Sequence, residues 1–274
     1  MNDINGILVT STEGAASDYP IDNWGLLVAL LLVALASVIS AVLKLGVERR
    51  LLWATVRSLV QLLAMGLIIG YVIRVNQWWL VFALLGVMII AAVQITLTRG
   101  SGLPKGLALP VFLTLLASAV LMFSVVVELI IRPKPWYAPQ VVVTMVGMLL
   151  GNVVSAIAVA ITRLFDDIRT RRYEIETMLA WGATPLEAAM PSITSAVRLG
   201  LIPTIAQLAS SGIVLIPGMM AGQIIAGGDP VQAARYQFVV LAVISSLTAL
   251  ADTLIVILVY RMAFTENHRL RTDL

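Results

Sequence analysis

The chain has 274 residues, of which 60% are hydrophobic and 12% charged, with a net charge of +3 and a mean hydropathy of +0.99. Soluble domains carry about 25% charged residues, so this composition excludes an ordinary water-soluble fold and predicts an integral membrane protein. The chain has no Cys and a single His, His268, which excludes disulfides, thiolate metal sites and Cys-based catalysis.

Seven apolar stretches are long enough to span a bilayer, which takes about 20 helical residues. Backbone groups in hydrocarbon must be hydrogen-bonded within their own segment, so each stretch is predicted to be helical. The sixth is interrupted by Pro203 and by Pro217-Gly218. The predicted fold is an all-α, polytopic transmembrane bundle of about seven spans. In chain order the stretches are 24–43, 52–73, 78–97, 107–131, 141–161, 199–226 and 238–262.

The distribution of basic residues predicts the orientation. Fourteen of the 18 Lys and Arg residues lie on one side of the predicted membrane, at the ends of the spans or in the segments that connect them. The positive-inside rule places this set in the cytoplasm, with the N-terminus outside and the C-terminus inside. We therefore expect an extracytoplasmic tail over 1–23, one transmembrane domain over 24–262 in the cell membrane, and a cytoplasmic tail over 263–274. No basic stripe suggests a nucleic-acid partner, and the expected surroundings are membrane lipid.

The largest predicted cytoplasmic element covers 162–198, where apolar residues recur at helical spacing among charged ones. Its helix should stop at Gly182, because glycine readily ends a helix. Thr184 can then cap a short second helix, with Pro185 at the first helical position and Glu187 three residues after the cap. This pattern predicts a helix, a sharp turn and a short helix at the membrane surface. Composition alone favours an ordinary interfacial helix pair.

The predicted turn resembles the cytoplasmic loop of ABC-transporter permeases. In those proteins a Glu precedes a Gly by six residues, and the loop carries a coupling helix that docks into the ATPase subunit. Here Glu176 precedes Gly182-Ala183-Thr184-Pro185 with the same spacing. The two Ala that usually follow the Glu are replaced by Thr177 and Met178. The resemblance implies that Glu176, the four residues of the turn and Glu187 couple this chain to an ATPase, through a coupling helix between spans 5 and 6.

Further segments resemble the FetB family, which comprises bacterial ABC permeases tied to iron export and plant relatives tied to aluminium tolerance. The resemblance covers nearly the whole chain apart from its tails. One departure is Ala221, where bacterial members are expected to carry Thr. The segments are Arg57 with Gln61, WYAPQ at 136–140, GMLLGN at 147–152, PGMMAGQIIAG at 217–227 and ARYQ at 234–237.

This resemblance implies a permease subunit that exports a metal ion, with iron the leading candidate, by alternating access. The chain contains no G-x-x-x-x-G-K-[S/T] phosphate loop. ATP and Mg²⁺ would therefore be bound by a separate ATPase subunit, expected in two copies, and a second copy of this chain would complete the pathway. The chain itself is not expected to be an enzyme or to hold a cofactor.

Polar groups and helix breaks inside the spans are the candidates for the transport pathway, because burying polar groups in lipid is expensive. The Pro217-Gly218 break adds backbone carbonyls that can line a cavity. The neighbouring Met219 and Met220 add soft sulfur atoms that could contact a metal weakly. The remaining candidates are Arg57, Gln61, Asn152, Gln223 and Asp252.

Asp252 is the deepest carboxylate in a predicted span, since Glu128 lies near an outer end. It could bind a cation or a proton, or it could pair with Arg57, Arg198 or nearby hydroxyls, and the sequence leaves these alternatives open. A proton- or ion-coupled secondary transporter that uses Asp252 is the alternative function. A third alternative, an intramembrane enzyme or assembly subunit, lacks the Ser/His, paired-carboxylate or His-Glu constellation of a catalytic site.

Overall fold

The computed structural model describes residues 22–99, 104, 106–265 and 269–271. Most of the predicted tails, 1–23 and 263–274, therefore lies outside the described residues. A π-helical segment, Phe123–Ile131, continues the fourth helix, and a 3₁₀ turn, Tyr260–Ala263, follows the last. The α-helices of the described part are α1 Asn23–Val42, α2 Glu48–Val75, α3 Trp78–Arg99, α4 Ala108–Met122, α5 Pro139–Thr170, α6 Arg172–Ala180, α7 Pro185–Ser210, α8 Gly218–Ile225 and α9 Pro230–Val259.

Six helical segments of the described chain are long and apolar enough to cross a membrane. They coincide with six of the seven predicted stretches, and most of their ends differ from the predicted ones by only a few residues. There are two exceptions: α5 continues into the predicted cytoplasmic element, and α9 begins eight residues before the predicted stretch. The prediction of an all-α, multi-span bundle is confirmed. The number of spans and the sidedness stay predictions.

The sixth stretch, 199–226, is not one helix. α7 begins at Pro185, runs through Pro203 and ends at Ser210, and a non-helical connection leads to α8. The prediction of a short second helix after Gly182 is therefore wrong, because that helix continues into the sixth stretch. Each internal proline removes one backbone hydrogen bond, but a continuous face of α7 packs inward and holds the helix together. The buried residues of this face are Ala188, Ala189, Ser192, Ile193, Ala196, Gly200 and Thr204.

The chain divides into two compact units, with one boundary at Pro217-Gly218. The N-terminal unit comprises the described residues 22–74 and 218–233, which include α1, nearly all of α2, and α8. The main unit comprises 75–217 and 234–271, again for the described residues, and includes α3 to α7 and most of α9.

The N-terminal unit is loosely packed. In the most apolar 18 residues of α1 and of α2, only 11% and 6% of positions are buried. An open cleft of about 400 Å³ lies between the two helices and is lined mainly by Leu, Val and Ala side chains. After α8, Gly227 adopts φ +85° and Asp229 caps α9 by accepting a hydrogen bond from the Gln232 backbone N–H at 2.8 Å.

The main unit is organised around α5, which contacts α3, α4 and α7. In its most apolar 18 residues 61% of positions are buried. Small residues permit close helix approach in a membrane, and an added Cβ at Gly147 of α5 would lie 3.1 Å from the Met88 side chain of α3. α5 is therefore surrounded by protein, whereas α1 and α2 are not.

Aromatic side chains gather at the predicted outer ends of the main unit. The rings of Phe82, Phe123 and Trp136 lie within 5.8–6.0 Å of one another, centroid to centroid. Tyr137 packs edge-on against Trp136 and donates a hydrogen bond to the Asn76 carbonyl at 3.3 Å. The helix ends that carry these aromatic residues are predicted to lie on the same side of the membrane, and in the fold they contact one another.

Candidate functional site

The turn between α6 and α7 is built by local backbone hydrogen bonds. Gly182 adopts φ +90°, a conformation that glycine reaches without a Cβ penalty. Its N–H donates to the Leu179 carbonyl at 3.1 Å, and the Ala183 N–H donates to the Met178 carbonyl at 3.0 Å. These two bonds form a Schellman motif, which satisfies the last carbonyls of α6. The prediction that Gly182 ends the helix is confirmed.

The start of α7 is fixed by the predicted capping box. The Thr184 hydroxyl accepts a hydrogen bond from the Glu187 backbone N–H at 3.3 Å, and the Glu187 carboxylate accepts one from the Thr184 N–H at 2.7 Å. Pro185 occupies the first turn, where no intrahelical N–H partner is needed. The hydrogen bonds from the Thr184 backbone and then from its hydroxyl lower the pKa of Glu187 below its usual value.

Ion pairs also form along α6, the helix that precedes this turn. Glu176 accepts a hydrogen bond from the Arg172 guanidinium at 2.9 Å, one helical turn away. Arg171 pairs with Glu174 and also donates to the Ser192 hydroxyl of α7 at 3.4 Å. The Arg171–Ser192 contact joins the beginning of α6 to α7, so the two helices and their turn form one fixed element.

This element has a buried face and an exposed face. Ile175, Ala188 and Ala189 have no exposed surface and pack between the helices. Tyr173 and Trp181 are 84% and 87% exposed. Large aromatic side chains with so little contact within their own chain are typical of a surface that binds a partner. We call Tyr173, Trp181, Leu186 and Met190, all exposed, the turn surface.

The segment that follows α9, residues 260–265, lies beside the beginning of α7. An open cleft of about 630 Å³ separates the beginning of α7 from the segment after α9. The α7 side of the cleft contains Thr184, Pro185 and Leu186, and the opposite side includes Arg261 and Phe264. Sequence analysis did not include Arg261 or Phe264 among the candidates, because only the tertiary fold brings residues 80 positions apart together.

The membrane candidates are divided between the two units. Arg57 and Gln61 lie one turn apart on α2, and both are exposed. Met219, Met220 and Gln223 lie on α8 and are half-buried. All five belong to the N-terminal unit, and Pro217, at its boundary, is buried.

Asn152 and Asp252 belong to the main unit. The Asn152 side-chain amide donates to the Met148 carbonyl at 2.9 Å, one turn earlier on α5, so it bonds to its own helix. Asp252, on α9, has no exposed surface. Neither of its carboxylate oxygens has a hydrogen-bond partner among the described residues, and Arg198 is exposed. The sequence-based pairing with Arg198 or a neighbouring hydroxyl is therefore not formed.

The Asp252 carboxylate rests directly on Gly200 of α7. An added Cβ at Gly200 would collide with Asp252 Oδ2, and it would lie 3.1 Å from the Ala160 side chain and 3.2 Å from the Ala156 carbonyl oxygen of α5. Sequence analysis missed Gly200. The signal was available, because a glycine inside a helix weakens it and usually marks a close approach.

No group of three or more His, Cys, Asp or Glu in the described ranges is arranged to hold a metal ion. Met219 and Met220 lie in the N-terminal unit, and Asp252 lies in the main unit. Stable transition-metal sites need several His, Cys or carboxylate ligands.

Comparison with known proteins places the chain in a family. The family model described as "Uncharacterised protein family (UPF0014)" matches residues 23–264. A membrane protein of this family from Synechocystis is 34% identical, with 82% of this chain and 87% of the relative covered. No solved structure matches the chain.

Two named relatives indicate what the family is associated with. The "Probable iron export permease protein FetB" of Escherichia coli is 30% identical over 93% of this chain and 96% of its own length. The "Protein ALUMINUM SENSITIVE 3" of Arabidopsis thaliana is 28% identical, covering 89% and 88% of the two chains. The resemblance drawn from the sequence motifs is thereby confirmed. The chain belongs to the UPF0014 family and is a multi-pass membrane protein.

Proposed function

We propose that the chain is the permease subunit of an ABC transporter that exports a metal ion, most simply iron. A separate ATPase subunit, present in two copies, would supply the energy, and two copies of this chain would form the pathway. The relative named as a probable iron export permease supports the metal cargo. The turn surface supports the ATPase partner.

The observation that carries the proposal is the exposure of Tyr173, at the beginning of α6, and of Trp181, at the turn that follows this helix. The turn lies outside the six apolar spans. Exposed aromatic residues on a fixed scaffold are typical of surfaces that bind a partner. The Schellman motif and capping box hold the backbone in one conformation, which reduces the entropy lost on binding.

α7 connects the turn surface to the interior of the main unit. Its 26 residues extend about 39 Å at 1.5 Å per residue. The same helix holds Pro185 at the turn and Gly200 against Asp252. A displacement imposed at the turn by ATP-driven closure of the ATPase would therefore reach the packed helices directly. Such a displacement can favour one transport state only through contacts that differ between the two states.

The exposed positions of two pathway candidates support the presence of a second copy of the chain. Arg57 and Gln61 are exposed on α2, a helix apolar enough to cross a membrane, and a charge exposed to lipid is expensive. A second chain covering this face of α2 would remove Arg57 from lipid and create a polar passage. Met219 and Met220 would then offer weak ligands to a metal cargo.

Purification and vesicle transport together test the proposal. The tagged protein, purified from its own cells in mild detergent, is expected to retain a subunit with a G-x-x-x-x-G-K-[S/T] loop and to hydrolyse ATP. Reconstituted vesicles are expected to move Fe²⁺ only with ATP, and a partner lacking the loop Lys is the control. ATP-independent Fe²⁺ transport would contradict the ATPase, and ATP hydrolysis without metal movement would contradict the cargo.

The alternative function, transport driven by an ion or proton gradient, has one observation in its favour: Asp252 is a fully buried carboxyl without a hydrogen-bond partner in the described chain. The vesicle experiment separates the two functions. A gradient without ATP drives transport in the alternative and does not drive it in the ABC proposal.

A further inference from the structure

Residues of α5, α7 and α9 pack together around one carboxyl group, that of Asp252. Asp252 has no exposed surface, and both of its oxygens lack hydrogen-bond partners within the described residues. It contacts Gly200, next to Ala160 and to the carbonyl of Ala156. Burying an ionised carboxylate without a partner costs far more free energy than burying a neutral group. Some ligand must therefore neutralise this carboxyl in the packed state.

The groups around the carboxyl distinguish one ligand from another. An ionised carboxylate only accepts hydrogen bonds, whereas a protonated one also donates. The polar atom identified beside Gly200 is the Ala156 carbonyl oxygen, an acceptor. The Thr248 hydroxyl, one turn earlier on α9, already donates to the Ile244 carbonyl at 2.7 Å. Neither Asp252 oxygen receives a hydrogen bond from the described residues, and a carboxyl that carries a proton loses much less on burial than an ionised one.

The charged groups on the neighbouring helices do not supply a counterion. On α7, Arg198 is exposed, and two residues along a helix point about 200° apart, so it faces away when Gly200 faces Asp252. On α5, Arg163 pairs with Asp167 at 3.0 Å and donates to the Ser195 hydroxyl at 3.3 Å.

On α9, no other Asp, Glu, Lys or Arg occurs between 236 and 260. A metal ion would need further ligands, and the described residues provide no such cluster. A proton needs only the carboxyl itself.

We propose that Asp252 is a proton-binding site, occupied by one proton in the packed state that the structure describes. Gly200 makes the site possible, because any larger residue would occupy the position of the carboxyl. Separation of α7 from α9 would expose the carboxyl to water and release the proton. The site therefore links proton binding to the packing of α7, whichever energy source drives transport.

Infrared spectroscopy of the protein in lipid nanodiscs tests this site directly. At neutral pH the wild type is expected to show the carbonyl stretch of a protonated carboxylic acid. Asp252→Asn should abolish that band, since the amide resembles the neutral acid in size but has no acid proton. Glu128→Gln, which changes a carboxyl near the outer end of another predicted span, should retain it.

Three results would overturn the proposal: a wild type without the band, a band that survives Asp252→Asn, or a band that appears only after metal ions are removed. The last would identify a metal site instead. If Asp252→Asn does not fold, Gly200→Ala provides the second test. Its new Cβ presses on Oδ2 and should shift the frequency of the band, while Gly151→Ala, whose Cβ meets no atom within 4 Å, should leave it unchanged. The spectrum contains no transport step, so its outcome is separate from that of the proposed export function.

Discussion

The N-terminal unit and the main unit are equally apolar in sequence but differ in what surrounds their helices. In the most apolar 18 residues of each helix, 6% of the positions in α2 and 61% of those in α5 are buried. Lipid tails are as apolar as leucine, so hydrophobicity alone does not drive helices together in a membrane. Small residues alone do not explain the difference: an added Cβ at Gly147 of α5 would lie 3.1 Å from Met88, but one at Gly66 or Gly70 of α2 would meet no atom within 4 Å. The contrast teaches that apolarity and small residues suit a helix to a membrane, while the tertiary fold decides which of those helices touch.

Truncating one apolar side chain in each unit tests this contrast and should give the largest effect. Ile157→Ala on α5, where Ile157 has no exposed surface, is expected to lower the free energy of unfolding by about 2–5 kcal/mol through the cavity it leaves. Leu31→Ala on α1, where Leu31 is 58% exposed, should cost under about 0.5 kcal/mol. Unfolding of both variants in the same detergent provides the measurement. Equal losses would show that protein also covers α1.

Removing an exposed Trp from each unit tests whether exposure has the same meaning in both. Trp181→Ala is expected to weaken ATPase binding by about 2 kcal/mol, the size of a binding hot spot. Trp24→Ala, which removes a ring that is 70% exposed in the N-terminal unit, should leave binding unchanged. The ATPase retained per permease chain during purification is the measured quantity. A similar loss in both variants would contradict docking at the turn surface.

Removing the cap of α7 tests how much the turn depends on local bonds. Thr184→Ala deletes the hydroxyl that accepts from the Glu187 N–H and should destabilise the first turn of α7 by about 1 kcal/mol. Thr55→Ala on α2 is the matched control, because the Thr55 hydroxyl bonds only to the Leu51 carbonyl of its own helix. Amide hydrogen exchange at the beginning of α7 should accelerate only in the first variant. Unchanged exchange there would show that tertiary packing alone holds the turn.

Lowering the pH should destabilise the same turn, and this effect should be smaller than those of the substitutions above. The pKa of Glu187 is lowered in the folded state by hydrogen bonds from Thr184, so its contribution is fully present above the ordinary Glu value. That contribution is lost as pH falls through the lowered pKa. Hydrogen exchange at Glu187, corrected for its intrinsic pH dependence, should therefore rise in acid in the wild type. Glu187→Gln should remove this acid-dependent component, and its persistence would assign it to another group.

The turn between α6 and α7 could be predicted almost completely from the sequence. Its bonds join residues at most five positions apart, from Met178 to Glu187. Gly182 reaches a positive φ without strain, and Thr184, Pro185 and Glu187 each have a definite place at a helix start. The membrane location was equally predictable, because length and hydropathy suffice for a span. The motifs that identified the family are likewise short runs of sequence.

The tertiary structure decided the rest. Pro203 predicted an interruption, yet α7 passes through it because packing against α5 compensates for one lost hydrogen bond. Asp252 could have paired with a base or bound a ligand, and only the fold placed it against Gly200, 52 positions away. The exposure of Trp181 also required the fold, since a sequence does not show which face of a helix pair is covered. Short-range hydrogen bonds are determined by neighbouring residues, whereas packing and burial depend on segments that meet only after folding.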